Sequence, residues 1–473
     1  MHNLISSNKW VLIFIVIIAQ ISYYNFNAPV TGDLAYFSYY NLMVKNGLSP
    51  YTLSSFGYTP LSIIISGYTA KLFEGIIPFE YVMSALGMIN YLMLCWLIYS
   101  TVKKIHKRND IATYSLLLFL GVGIVGKIST VILDPKVLLS TLFVSAYYAH
   151  LNKRVVLSFF LASCAVWVWQ PSIIILLGLI LLVLRKVSVI NCFYYLAAGT
   201  LLASILPITY LLSSGQLQDF IQTAIIDRFV WATEERNFSP FKFLTYPFYQ
   251  KYVWDLLFFI LALTGFLASL LFRFKQYKWK IFSNGYFDEL LIITFFFVLL
   301  LNLESGNRDL LTFMSFLAIW VSYSFRFLKI HKLNLIKVYV LLILIGFLDF
   351  FIPYHNDNHT QLGLVADQIA KTNDIKNGNY LTVGRSSEGL NVIWKTYPYD
   401  YRLRLHVVNI GSKYNCNSYD QEIGNSIRFI VLDKSQFQPT KSSCYLVVAE
   451  AIQQKPHVTH TYGDILVLDF IAR

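Results

Sequence analysis

Charge is scarce in this chain. Only 14% of its 473 residues are Asp, Glu, Lys or Arg, against 56% that are hydrophobic, and the mean hydropathy is +0.54. That balance excludes an ordinary soluble globular protein and points to one built in a bilayer. Cysteine is scarce too, at five residues. Cys95, Cys164 and Cys192 fall in apolar runs, as packing residues do, whereas Cys416 and Cys444 lie in a polar tail at a spacing that fits no metal motif. In an oxidising exterior that last pair is either a disulfide or two separate thiols. The middles of the apolar runs hold essentially no ionisable residues. Ion-coupled transporters and pumps keep such groups at membrane depth, which weighs against that class. The first run, WVLIFIVIIAQISYYNF, lacks the small-x-small cleavage site of a secretory signal, and many more runs follow it. It reads as a retained first span.

The net charge of +12 marks no nucleic-acid surface, because the basic residues cluster at the ends of apolar runs, which is how topology is written. The clusters are Lys103, Lys104, Lys107 and Arg108; Lys153 and Arg154; Arg185 and Lys186; Arg273, Lys275, Lys278 and Lys280; and Arg326, Lys329, Lys332 and Lys337. Two apolar runs separate each cluster from the next, so all of them, with Lys9, fit the cytoplasmic side. The expected spans are then approximately 10–26, 79–102, 111–127, 135–150, 155–169, 172–184, 190–212, 252–272, 287–302, 309–325 and 336–353. The run TPLSIIISGYTAKLF is shorter than the ~20 residues a membrane helix needs, and counting it as a span would reverse every later assignment. It is expected as an interfacial or re-entrant helix inside a first external loop of about residues 27–78.

The chain therefore divides into a membrane part, 1–353, and a tail, 354–473, which an odd number of spans places outside. The tail carries one helical pattern, TQLGLVADQIAKTN, and strand-like runs YLTVG, RFIVLD, CYLVVAE and DILVLDF, the makings of a small α+β domain. The expected fold class is thus a polytopic α-helical membrane protein of about 11 spans with an extracytoplasmic α+β domain.

Polar chemistry gathers in the external loops. Asp33 lies in the first; Lys127, Asp134 and Lys136 lie in GKISTVILDPK; Asp227, Arg228, Glu234, Glu235 and Arg236 lie in DRFVWATEER; Glu304, Arg308 and Asp309 lie in ESGNRD. Each group read alone is a solvated loop or a helix cap. Asp33 is a good N-cap for a helix over 34–46 with Gly47 as its left-handed C′ residue, and Asp134 before Pro135 is placed as a cap is. Jointly they describe an apolar bundle with one polar outer face, where a lipid-carried substrate from the bilayer meets a polar one from outside.

That layout resembles the multi-spanning glycosyltransferases of the GT-C superfamily, which use polyprenyl-phosphate sugars as donors. The likeness is carried by GDLAYFSYYNLMVKNGLSPYT followed by GYTPLSIIISGYTAKLFEG and a span. In the family an early acid is followed by an aromatic-rich helix, then G-x-x-P-Y and a Y-x-P-L element; here these are Asp33, Tyr36 to Tyr40, Gly47 to Tyr51 and Tyr58 to Leu61. Asp134 in LDPKVL matches the acid many members carry in the next outer loop, and WQPS, Trp169 to Ser172, resembles a turn between later spans. Many members have a second acid beside the first. Asp33 has Gly32 and Leu34 instead, so no metal cofactor is expected.

The resemblance implies an inverting hexosyltransferase of a bacterial inner membrane, with the N-terminus cytoplasmic and the tail periplasmic. Its partners are the bilayer, a polyprenyl-phosphate sugar and a glycan or lipid acceptor such as O-antigen or lipopolysaccharide. A membrane part with an external C-terminal domain is similar to enzymes that glucosylate O-antigen. Such transfer needs a carboxylate to take the acceptor proton, for which Asp33 and Asp134 are the candidates. It also needs a cation for the leaving phosphate. Arg308 is the first choice, with Lys127, Arg228, Arg236 and Lys136 as alternatives. Tyr36, Tyr40 and Tyr58 either stack on sugar or anchor the outer interface. Two other readings stay open: a lipid-linked glycan polymerase or ligase, and a lipid or glycan flippase or transporter, which often shows an internal repeat. No repeat is evident.

Overall fold

In a bilayer every backbone N–H and C=O must find its partner within the protein, and helices supply those partners locally. The computed structural model follows that rule. It describes residues 32–51, 56–226, 253–277, 285–304, 307–327, 357–376, 379–383, 390, 394, 423–433, 449–450, 452–463 and 465–470. The runs 10–26 and 336–353 and both tail cysteines lie outside the described residues, as do the side chains of Asp33, Lys127 and Arg308.

The described helices fall on the apolar runs: Phe79–His106, Asn109–Leu120, Pro135–Leu151, Val155–Val168, Ile173–Leu184, Val189–Ser213, Val253–Tyr277, Tyr286–Glu304 and Met314–Phe327. Phe79–His106 and Val189–Ser213 are long and apolar enough to cross a membrane. The second of these leaves Ile190, Phe193, Leu201, Ile205 and Leu212 exposed along its length, an apolar surface too extensive to leave in water. The expected span 111–127 is divided. Its helix stops at Leu120 and a second begins at Gly123 and runs to Ser129. Gly121, Gly123 and Gly126 crowd that stretch and weaken helical continuity. The turn after the break approaches the long helix closely: a Cβ added at Gly87 would lie 2.2 Å from the Ser129 carbonyl oxygen and 2.4 Å from that of Ile132.

Small polar residues join the helices across their apolar faces, as membrane bundles require. Ser140 donates to Ser315 at 2.9 Å, Trp320 Nε1 to Thr294 at 2.9 Å, and Ser158 to the Ala146 carbonyl at 2.6 Å. His106 lies 2.8 Å from the Ser322 hydroxyl. At the end of the bundle carrying the basic clusters, Lys186 pairs with buried Glu289, and His150 lies 3.6 Å from the same carboxylate.

In the tail, helix Asp357–Thr372 packs on a sheet of order β1-β2-β4-β3, with β1 Tyr380–Val383, β2 Phe429–Asp433, β3 Val458–Tyr462 and β4 Ile465–Asp469. β1 pairs parallel with β2, and the other pairs are antiparallel. Arg428 grips Asp469 with two hydrogen bonds, 2.9 and 3.1 Å. Residues 444–448 of CYLVVAE lie outside the described residues, while Ala449 and Glu450 are helical. Strand β3, VTHTY in sequence, was not expected from its largely polar composition.

Candidate functional site

The first described helix, Gly32–Lys45, starts slightly before the expected position, so Asp33 lies inside its first turn. The far end is a left-handed stop. Gly47 has φ +72°, its N–H donates to the Val44 carbonyl, and the Leu48 N–H donates to the Met43 carbonyl. That pair of bonds is the glycine-terminated closure that turns a chain back on itself. The chain then reaches helix Leu61–Leu72, which packs on the first helix at Gly67, whose added Cβ would lie 2.6 Å from Val44. Lys45 reaches across to Glu74 at 2.5 Å, and this hydrogen bond and charge hold the Glu74 carboxyl below its usual range.

Tyr36, Tyr40 and Tyr58 come together in one aromatic cluster with Phe37 and Phe56. Tyr36 and Tyr40 rings are 4.6 Å apart edge to face, Tyr36 stacks on Phe56 at 5.7 Å, and Phe37 meets Tyr58 at 5.1 Å. Tyr40 is fully buried. Such pairs add to plain burial and hold the loop against the helix.

Polar ties then close this first loop on itself and fasten it to later parts of the chain. Tyr51 donates its hydroxyl to the Tyr58 carbonyl at 2.8 Å, and burial pushes that phenol well above its ordinary pKa, so it stays a donor. Thr59 donates to the Val166 carbonyl at 3.0 Å. Gln170, in WQPS, uses Nε2 twice, to the Gly57 carbonyl at 3.1 Å and to the Ala224 carbonyl at 2.6 Å. The Y-x-P-L element, the WQPS turn and the segment Ile221–Ile226 are thereby one assembly.

LDPK joins it through Lys136. Asp134 is the N-cap of helix Pro135–Leu151, its Oδ1 accepting from Lys136 N at 2.8 Å and Val137 N at 3.2 Å. The carboxylate is buried, 1% exposed. Lys136 is buried as well, and its ammonium lies 5.2 Å from the centroid of the Trp169 ring, an attractive cation–π geometry. Segment Asn307–Phe313, which holds Arg308, packs on the helix that Asp134 caps. Lys127 lies on helix Gly123–Ser129, shortly before the same cap. Arg228 and Arg236 lie outside the described residues. Of the residues that bind the assembly together, Lys136 is expected from the sequence as an alternative phosphate cation, and Trp169, Gln170 and Thr59 figure there only as members of the WQPS and Y-x-P-L elements. Their contacts with one another and with distant backbone carry no signal in the sequence.

Among solved structures the chain is similar to ArnT from Cupriavidus metallidurans bound to undecaprenyl phosphate, with 12% identity and a TM-score of 0.70 over 98% of each chain. ArnT is a glycosyltransferase of the GT-C superfamily. The chain has the GT-C fold. No protein-family model matches it, and no curated protein does. The GT-C likeness covers nearly the whole chain, so it runs through both the bundle and the sheet. The buried polar assembly just described lies, within this GT-C fold, at the end of the bundle opposite the basic clusters.

Proposed function

We propose that this protein is an inverting membrane glycosyltransferase that moves a hexose from a polyprenyl-phosphate carrier to a surface glycan or lipid-linked acceptor, such as O-antigen, on the external face of a bacterial inner membrane. The observation that carries this reading is the end-to-end likeness to a structure that holds undecaprenyl phosphate. The gathering of the Asp33 helix, Y-x-P-L, LDPK and WQPS elements at one end of the bundle supports it.

In this reading Asp33 accepts the proton of the acceptor hydroxyl while that oxygen attacks the anomeric carbon. The anomeric carbon–phosphate oxygen bond breaks, its electron pair leaves with the polyprenyl phosphate, and configuration inverts. Arg308 faces the leaving phosphate charge, with Lys127, Arg228 and Arg236 as further cations. Asp134, the second carboxylate, is held by the helix start it caps. Tyr36, Tyr40 and Tyr58 shape the sugar side. The sequence around Asp33 offers a single acid, and we assign it proton transfer without a metal.

The test is to incubate the purified full-length protein with hexosyl-phosphoryl-polyprenol and candidate lipid-linked acceptors. Expected are stoichiometric polyprenyl phosphate and a product whose anomeric configuration, read by NMR, is opposite to the donor's. Movement of intact donor across vesicles with no transfer contradicts the reading and favours a flippase.

A further inference from the structure

The WQPS turn concentrates buried polar atoms with no hydrogen-bond partner among the described residues: Trp169 Nε1, Gln170 Oε1 and Ser172 Oγ. Trp169 is 2% exposed and Ser172 fully buried. Buried donors are nearly always satisfied, and each exception asks for an explanation. The tryptophan N–H is a donor only, and so it calls for an acceptor. Its ring lies under the Lys136 ammonium, 5.2 Å from centroid to Nζ, and Lys136 is itself 8% exposed. A cation and a neutral donor share one desolvated spot, beside the first turn of the 17-residue helix Pro135–Leu151. The carboxylate nearest in sequence, Asp134, commits Oδ1 to the amides of Lys136 and Val137, so its charge is spread into the helix start.

We infer that Lys136 and the Trp169 N–H together hold an oxyanion, the phosphate of the polyprenyl carrier, with Lys136 supplying charge and Trp169 a directional hydrogen bond. This rests on the glycosyltransferase reading above and adds to it a phosphate contact on the LDPK–WQPS side of the assembly. The chemistry suits a phosphate: the ammonium acts as a point charge from the ring face, while the indole N–H fixes one oxygen. Burial strengthens both interactions by excluding water. Gln170 holds the turn in place through its bonds to Gly57 and Ala224, so the donor is rigid before any ligand arrives.

The test uses the full-length protein in detergent and three ligands: polyprenyl phosphate, the matching neutral polyprenol and inorganic phosphate. Trp169→Phe keeps the ring and removes only the N–H; Lys136→Met keeps the stem and removes the charge; Lys136→Arg keeps the charge. Melting of each variant without ligand is measured alongside. Trp169→Phe is expected to weaken polyprenyl phosphate binding by about tenfold to a hundredfold, the worth of one hydrogen bond to a charged group, while leaving polyprenol binding unchanged. Lys136→Met is expected to lose at least as much, and Lys136→Arg to recover part of it. Unchanged phosphate binding in a normally melting Trp169→Phe protein overturns the inference alone. Equal loss for phosphate and alcohol overturns it too, since that is a packing effect. Wild-type protein that does not prefer the phosphate to the alcohol overturns both this inference and the glycosyltransferase reading. Trp169-dependent binding of inorganic phosphate, with the lipid indifferent to the substitution, overturns the lipid assignment.

Discussion

Gln170 donates through Nε2 to the backbone carbonyl of Gly57, at 3.1 Å and 113 positions away in sequence. The same nitrogen reaches Ala224 at 2.6 Å, so one amide group closes the first outer loop onto two later parts of the bundle. Gln170→Leu strands both carbonyls and is expected to cost about 1–3 kcal/mol. Chemical denaturation in detergent measures it. The larger effect is expected on donor affinity, read as a raised KM with kcat less changed.

Asp134 shows how a cap and a functional carboxylate separate experimentally. Asparagine caps a helix about as well as aspartate, whereas alanine forfeits about 0.5–2 kcal/mol. Asp134→Asn is therefore expected to keep the wild-type melting temperature and lose transfer activity, while Asp134→Ala loses both. Full activity in the stable Asp134→Asn protein leaves Asp134 as a cap only.

Gly87→Ala drives a methyl group into the Ser129 and Ile132 carbonyls, 2.2 and 2.4 Å away. Both obstacles are backbone, which has little room to yield, and overpacking of this kind costs typically 1–3 kcal/mol. The turn that must move leads directly to Asp134. We expect lower thermal stability together with lost activity, in contrast to Asp134→Asn.

The expected placing of helix Leu61–Leu72 at the external face of the membrane, interfacial or re-entrant, is open to labelling. Lys71 and Lys104 are exposed at the ends of consecutive helices. In a background with the five native cysteines replaced, Lys71→Cys is expected to react with an impermeant maleimide from outside intact cells, and Lys104→Cys only after permeabilisation. Reaction of both from one side contradicts the topology.

The Lys45–Glu74 pair gives a pH dependence. The Glu74 carboxyl is held below its ordinary value by its bond to Lys45, so the folded state favours the charged form. Its contribution is present above the unfolded carboxylate range and is lost as pH falls through the folded value. Glu74→Gln is expected to melt slightly below wild type at neutral pH and to match it in acid, the small size reflecting an exposed pair.

Much of the fold was legible because membrane burial writes itself into composition. Phe79–His106 and Val189–Ser213 coincide with apolar runs that each carry a basic cluster at one end, and the Gly47 stop follows from its residue type. The break between Leu120 and Gly123 was not read, since an apolar run hides a bend when the residues on both sides are equally buried. Strand β3 was missed because VTHTY pairs through backbone bonds with β4 while its side chains are mostly polar and none is buried. At the site, single residues such as Asp134 and the tyrosines were visible, but their joining was not. The bonds from Gln170 to Gly57 and from Thr59 to Val166, and the stacking of Lys136 on Trp169, depend on tertiary proximity that a single sequence leaves unwritten.

The central claim is that a carboxylate in the first outer loop takes the acceptor proton. Its most direct measurement is the single-turnover rate of sugar transfer from polyprenyl-phosphate hexose by Asp33→Asn in membranes, beside wild type and with donor binding measured in parallel. The expected result is donor binding within a few-fold of wild type and a transfer rate lower by at least the 10²–10⁴-fold of general-base catalysis. Full transfer by Asp33→Asn contradicts the account.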